Sequence, residues 1–253
     1  MDFLVFVFGL LWGSFFNVCI IRLPEERSVV LGRSLCPKCQ ALIPWFCNIP
    51  LLSYAMLLGR CQNCKSSISI QYPLVELVTG LMFLGLYSHY GLTKECLFAV
   101  LLCSSLLVVS VIDLKHQIIP DEISLPGIII GFLLSFWMGK ISWTDSLLGI
   151  LVGGGIFLLI AWGYEKLAKR EGLGGGDIKL LAMIGSWLGV QSLIPVIIIS
   201  SLTGSIIGVS LMLCFKKDLK AAIPFGPFLA LGALAYLFWG NEINSFLFPS
   251  IQP

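Results

Sequence analysis

Charge is scarce in this sequence. Only 12% of its 253 residues are Asp, Glu, Lys or Arg, against 57% hydrophobic residues and a mean hydropathy of +0.95. A soluble globular domain carries about a quarter charged residues, so this composition excludes one and points to an all-α, polytopic membrane protein. Polar stretches are equally rare, with residues 22–72 forming the one long polar segment. Nucleotide fingerprints are missing too. The glycines at 172 and 174–176 are not followed by Lys-Ser/Thr, which excludes a P-loop, and no G-x-G-x-x-G is present. There is no low-complexity segment and no internal repeat. No positive residue precedes the first apolar run, and no small-x-small cleavage site follows it before Arg22, so that run reads as a retained helix and not as a signal peptide.

Apolar runs long enough, or nearly so, to cross a bilayer recur near 2–21, 73–90, 96–114, 122–139, 144–164, 178–192, 195–214 and 226–248. Eight transmembrane helices are expected, the sixth short and glycine-rich. The net charge of +2 says little, but its distribution says more. With both termini outside, only Lys94 and Lys140 of the 16 basic residues fall outside, while the other fourteen, among them Lys169, Arg170, Lys216, Lys217 and Lys220, face the cytoplasm. The implied organisation is a first transmembrane helix at 1–21, a small cytoplasmic zinc-binding loop domain at 22–72, and a transmembrane bundle at 73–253 whose core is 96–253.

The loop segment holds two C-x2-C knuckles, Cys36-Pro37-Lys38-Cys39 and Cys61-Gln62-Asn63-Cys64, with 21 residues between them. Each knuckle can turn two thiolates toward one tetrahedral Zn2+, and the pair supplies four ligands. A pair of disulfides is the weaker alternative, because the charge pattern puts the loop in a reducing compartment. Cys47 has no partner in the pattern. Cys19, Cys96, Cys103 and Cys214 lie in or beside apolar runs, where cysteine acts as a small hydrophobe.

Four acids stand out. Glu76 falls one turn into the second run, where a carboxylate requires a partner or a wet cavity, or else complements the helix dipole. Asp113 falls near the cytoplasmic end of the third run, at a helix C-terminus, where a negative charge is disfavoured. It therefore lacks a structural excuse. Asp121 has one, as an N-cap or first-turn acid after Pro120. Asp177 follows Gly172-Leu173-Gly174-Gly175-Gly176 and opens the sixth run, so it is either an N-cap or a catalyst, and its shared membrane face with Asp113 favours catalysis. The glycines serve close approach of a substrate backbone or positive φ angles. Gly153 lies in a run remote from them. Ser14 and Asn17 read as helix-packing residues. His116 and Lys115 read as interfacial, and Pro224-Phe225-Gly226-Pro227 as a turn into the last helix with a packing role.

The Gly-Gly-Gly-Asp-Ile-Lys stretch ending at Lys179, with Asp113 upstream and Ile119-Pro120-Asp121 between, resembles the bacterial type IV prepilin peptidases, also called leader peptidase/N-methyltransferases. Gly13-Ser14-Phe15-Phe16-Asn17-Val18 with Arg22-Leu23-Pro24, the two knuckles, Tyr72-Pro73-Leu74-Val75-Glu76, Gly185-Ser186-Trp187-Leu188-Gly189 and Pro224-Phe225-Gly226-Pro227 carry the same resemblance along nearly the whole chain. One departure is Gln71, where family members commonly have Arg.

The resemblance implies a multi-pass protein of the bacterial inner membrane with its catalytic residues at the cytoplasmic face. The implied activity is aspartic endopeptidase cleavage of type IV prepilins or type II secretion pseudopilins, after a Gly. N-methylation of the new N-terminus by S-adenosylmethionine follows. Asp113 and Asp177 would be the catalytic pair, Cys36, Cys39, Cys61 and Cys64 the ligands of a structural zinc, and Glu76, Gly174, Gly175, Gly176 and Lys179 the substrate or cofactor surroundings. The expected partners are the prepilin substrate and the lipid bilayer, with no nucleic acid. A peptidase without methyltransferase activity is the alternative, and a non-enzymatic cation carrier or channel a distant one. Two close carboxylates cannot both ionise cheaply, so one would act as base and the other as acid.

Overall fold

A computed structural model describes residues 1–139, 141–168, 174–215 and 224–249. Gly172, Lys169, Arg170, Lys140, Lys216, Lys217 and Lys220 lie outside the described residues. Among the described residues all regular structure is helical, apart from two isolated antiparallel bridges. The helices are α1 (Asp2–Arg22), α2 (Leu52–Met56), α3 (Gln71–Tyr90), α4 (Lys94–His116), α5 (Asp121–Met138), α6 (Trp143–Ile150), α7 (Phe157–Ala168), α8 (Gly175–Leu188), α9 (Leu193–Phe215) and α10 (Gly226–Leu247). A π-helical turn, Leu151–Ile156, joins α6 to α7 without a break.

Every expected span has a helix in its place, with α6, the π turn and α7 forming one. Among the described residues five helical stretches meet the length and apolarity that crossing a membrane needs: Asp2–Arg22, Lys94–His116, Asp121–Met138, Trp143–Gly163 and Val190–Cys214. The helices α3, α8 and α10 are not among them. The 14 residues of α8 reach only about 21 Å, short of a hydrocarbon core of about 30 Å. Large apolar side chains lie exposed along several of the long helices, including Phe3 and Leu4 on α1, Ile129 and Leu133 on α5, and Leu202 and Ile206 on α9. In water such belts would be an aggregation hazard. On membrane-spanning helices they are the lipid-facing side.

The chain folds as two compact units, Met1–Ser104 and Ser105–Pro253. In the first, α1 and α3 pack antiparallel through small residues. A Cβ built on Gly9 would lie 2.8 Å from Gly80 Cα, and one on Gly13 2.7 Å from Glu76 Cα. Both distances are shorter than any ordinary carbon contact, so only glycine lets the backbones approach this closely, as helix pairs in bilayers do. Asn17 extends the seam by donating from Nδ2 to the Tyr72 carbonyl at 3.0 Å.

In the second unit α8 is the central element. Ile178 and the whole run Leu180–Leu188 are buried, with α5, α6, the π turn and α10 packed around them. Gly149 of α6 and Gly185 of α8 face each other so closely that a Cβ on either would run into the other's backbone. Trp187 fills the space beside α5 and donates its indole N–H to the Gly127 carbonyl at 2.8 Å. Ser146 donates to the Ser186 carbonyl at 2.7 Å. A helix enclosed on all sides by protein does not itself have to match the bilayer, which accounts for its shortness.

Candidate active site and cysteine cluster

Asp113 lies in the last turn of α4, three residues before its final residue His116. It is buried, with 5% of its surface exposed. The C-terminal end of a helix repels a carboxylate, and the fold supplies the compensation from elsewhere. Asp113 Oδ2 accepts the backbone N–H of Gly226 at 2.8 Å. Gly226 is the first residue of α10, so its N–H is one of the four that a helix start leaves without an intrahelical partner, at the positive end of the dipole. Pro227 suits the first turn, since its missing N–H is not needed there. The glycine lets the carboxylate come this close, because a Cβ at 226 would lie 2.7 Å from Asp113 Oδ2 and displace it.

Asp177 is the third residue of α8 and half-buried. The N-cap of this helix is Gly174, with φ −64° and ψ 129°, and no side chain caps it. Asp177 is therefore not the N-cap but an acid of the helix's first turn. Its carboxylate folds back over Gly174, where a Cβ would lie 3.0 Å from Oδ2. Asp113 and Asp177 are close enough for their charges to repel. Two carboxylates at the ends of different helices are thus brought together with a backbone donor on one of them.

The surroundings differ from expectation in several respects. Among Gly174–Gly176 none has positive φ, so the conformational reading fails there. A Cβ on Gly176 would press on Ile119 at 3.0 Å, whereas one on Gly175 would meet nothing within 4 Å. Gly176 is packed and Gly175 faces open space. Gly153 is not remote from packing, since a Cβ there would lie 2.9 Å from the Leu181 carbonyl oxygen of α8. The Lys179 ammonium donates to both oxygens of Asp121 at 2.6 and 2.8 Å. Asp121 follows the N-cap Pro120, and this exposed pair ties the start of α5 to the first turns of α8. The turn at 224–227, expected to pack at the site, also supplies it with the Gly226 amide, and the ion pair adds a contact that the sequence pattern does not indicate.

The cysteine knuckles belong to the first unit and are built alike. Leu35 pairs with Leu42 and Arg60 with Ser67, each pair closing a small hairpin. The Gln40 N–H reaches Cys36 O and the Lys65 N–H reaches Cys61 O, with Gln40 and Lys65 both left-handed at φ 56° and 58°. The sulfurs of Cys36, Cys39, Cys61 and Cys64 all lie within 4.8 Å of one another, and Cys36 Sγ is 3.9 Å from Cys64 Sγ. Tetrahedral thiolates at about 2.3 Å from zinc are about 3.8 Å apart, so this group fits a metal ion. Backbone N–H groups of Cys39 and, next, Lys38 pull the Cys36 thiol down to about 6, which keeps a thiolate ready at neutral pH. Cys47 stands outside the cluster, its thiol donating to Gln62 Oε1 at 3.0 Å.

Glu76 is the sixth residue of α3, past its first turn, so a simple dipole role is excluded. Its partners are protein groups. Oε2 accepts the Leu51 N–H at 2.9 Å, and the Ser14 hydroxyl bonds the same carboxylate. Arg22, at the end of α1, donates to the carbonyls of Ser28, Leu31, Gly32 and Arg33 and so shapes the start of the loop. Asn17 is 2% exposed and leaves Oδ1 without a partner.

Fold and site together define a class, that of polytopic helical membrane proteins with a helix-end carboxylate pair and a separate four-cysteine centre. Residues 7–90 match the family model described as the bacterial peptidase A24 N-terminal domain, and residues 100–209 match that of the type IV leader peptidase family. A protein named prepilin leader peptidase/N-methyltransferase from Aeromonas hydrophila is 38% identical over 265 residues, covering 95% of this chain and 91% of the relative. One of the same name from Pseudomonas aeruginosa is 38% identical over 260 residues, covering 93% and 89%. One from Myxococcus xanthus is 41% identical over 209 residues, which is 83% of this chain and 62% of that longer protein. The chain belongs to the type IV leader peptidase family. No solved structure matches it.

Proposed function

We propose that the chain is an inner-membrane aspartic endopeptidase that removes the leader of a type IV prepilin or type II secretion pseudopilin after a Gly. The new N-terminus is then methylated. The observation that carries this reading is the pairing of Asp113 and Asp177, in a chain whose relatives are named prepilin leader peptidase/N-methyltransferase.

The roles within the pair follow from the Gly226 amide. A carboxylate that accepts a backbone N–H at a helix start is favoured in its ionised form. Asp113 is then the base and Asp177, beside that negative charge, holds the shared proton. Water attacks the scissile carbonyl carbon as Asp113 takes its proton. Asp177 hydrogen-bonds the carbonyl oxygen, and the C–N bond breaks as Asp113 passes the proton it took from water to the leaving amine. Gly174 and Gly175 leave room for an extended substrate backbone. The substrate's apolar helix lies in the bilayer, which puts the scissile bond at the cytoplasmic interface beside both acids.

Cys36, Cys39, Cys61 and Cys64 hold one Zn2+ as a structural ion that ties the two knuckles together and takes no part in cleavage. S-adenosylmethionine, when bound, supplies the methyl group. Residues of the 22–76 region would hold the methyl donor. Glu76 supports that region by holding Leu51, with its carboxylate already engaged.

The test is incubation of the purified protein with a prepilin and measurement of the product's N-terminal mass, with and without S-adenosylmethionine. Cleavage after the Gly with a methyl added only when the donor is present is the expected result. Cleavage without methylation would support a peptidase alone, and an unprocessed substrate would overturn the proposal.

A further inference from the structure

The loop between α1 and α3 is the polar segment of the sequence, yet one part of it is strongly apolar and uncovered. Trp45 and Met56 are each 79% exposed and Leu58 85%, with Phe46 and Leu52 exposed beside them. In α2 the side chains divide by face. Ser53 is buried, accepting the Ile49 N–H and donating to the Phe46 carbonyl. Leu52 and Met56, one turn apart, point away from the protein.

The depth of this turn is fixed by its anchor. Leu51, the N-cap of α2, gives its N–H to Glu76 Oε2 at 2.9 Å and takes a left-handed φ of 58° in doing so. Glu76 packs against Gly13 of α1. Gly13 lies nine residues before Arg22, the last residue of α1, which is about 13 Å along the helix axis. α1 has the length and apolarity of a membrane span. On the α3 side, Glu76 lies five residues past Gln71, or about 7.5 Å. The chain leaves at Arg22 and returns at Gln71, and between them Leu51, within a side chain's and one hydrogen bond's reach of Glu76, is held at a level inside the end of α1. A segment held at that level with an apolar outer face meets lipid.

We propose that residues 45–58 are seated in the headgroup–acyl boundary of the bilayer, with lipid covering Trp45, Phe46, Leu52, Met56 and Leu58. Aromatic side chains on the 3-10 turn Trp45–Asn48, Leu52 and Met56 on the outer side of α2, and Leu58 just after it give the segment the apolar side chains that interfacial elements bury at this boundary. The knuckle tips, with Lys38, Gln40, Asn63 and Lys65, stay in water. The loop domain is then a monotopic element that fixes its own height against the membrane. Its attachment rests on apolar burial and persists at high salt and in uncharged lipid.

Photolabelling of the full-length protein tests this. The protein is reconstituted in phosphatidylethanolamine–phosphatidylglycerol vesicles containing a lipid with a diazirine high in its acyl chain. A second sample receives a water-soluble diazirine. Mass spectrometry then locates the adducts. Lipid adducts on 45–58, at a yield like that on Phe3 and Leu4 of α1, with aqueous adducts on Cys36–Gln40, are expected. Labelling of 45–58 by the aqueous reagent alone would overturn the proposal. So would labelling by neither reagent, since the face would then be covered by protein. Met56→Glu should abolish lipid adducts on 45–58 and leave those on α1 unchanged, and retention of the 45–58 adducts would count against the proposal. Should that variant fail to fold, the wild-type patterns still decide.

Discussion

Replacing Gly226 by Ala isolates the contribution of one backbone amide to catalysis. The added Cβ would lie 2.7 Å from Asp113 Oδ2, about 0.7 Å inside the 3.4 Å of ordinary contact. The backbone at 226 is not left-handed, and alanine is a good residue for the first turn of a helix, so α10 itself loses nothing. Asp113 is the side that must move, and with 5% exposure it has little freedom to do so without leaving the Gly226 N–H. A hydrogen bond to a charged group is worth about 1.5–3 kcal/mol. Lost from the base in the transition state, this corresponds to a fall in kcat of roughly 10- to 150-fold. KM for the prepilin should hardly change, because the amide touches no substrate. The assay is the cleavage rate of a purified prepilin over a range of concentrations, with thermal unfolding followed in parallel. A variant that folds normally and keeps the wild-type kcat would refute the assignment of Asp113 as the amide-held base. A loss confined to KM would do the same.

Other predictions follow from the same geometry. Cys64→Ser should reduce bound zinc from one ion per chain to none and expose residues 22–70 to proteases, because a structural metal contributes folding free energy directly. Metal analysis and limited proteolysis check this, and a zinc-free wild-type protein purified without chelator would rule the site out. Gly175→Val should fold normally, since a Cβ there meets nothing within 4 Å, yet slow cleavage by roughly a hundredfold if substrate backbone needs that space. Gly85→Val on α3, equally open, is the comparator, and equal rates in the two variants would show the glycines to be only a linker.

The helices were legible because bilayer-length apolar runs are long and their polar interruptions sharp. Even so, α8 falls 14 residues long inside a protein jacket, and sequence hydropathy cannot tell a lipid-facing run from an enclosed one. The cysteine cluster was legible from spacing alone, since two C-x2-C knuckles have little else to do than converge. Asp113 was marked by its poor fit to a helix C-terminus, a local argument that needs no tertiary information. Its partner was not readable, because the Gly226 amide is 113 positions away and a backbone group has no signature in sequence. Glu76 shows the same limit. The sequence posed the cost of burying a carboxylate, and the answer is the N–H of Leu51, a residue that no pattern distinguishes. The family resemblance puts Lys179 among the substrate surroundings, whereas its pairing with Asp121 joins two helix starts that only the fold brings together.

The central claim is that Asp113 and Asp177 together hydrolyse the leader bond. Its most direct measurement is the N-terminal mass of a prepilin after incubation with Asp113→Asn and with Asp177→Asn, each purified alongside wild type. Asparagine keeps the shape and removes the ionisable group. Either change should leave the prepilin at its full, uncleaved mass while the variant remains folded in the membrane. Normal processing by either variant would contradict the two-aspartate account.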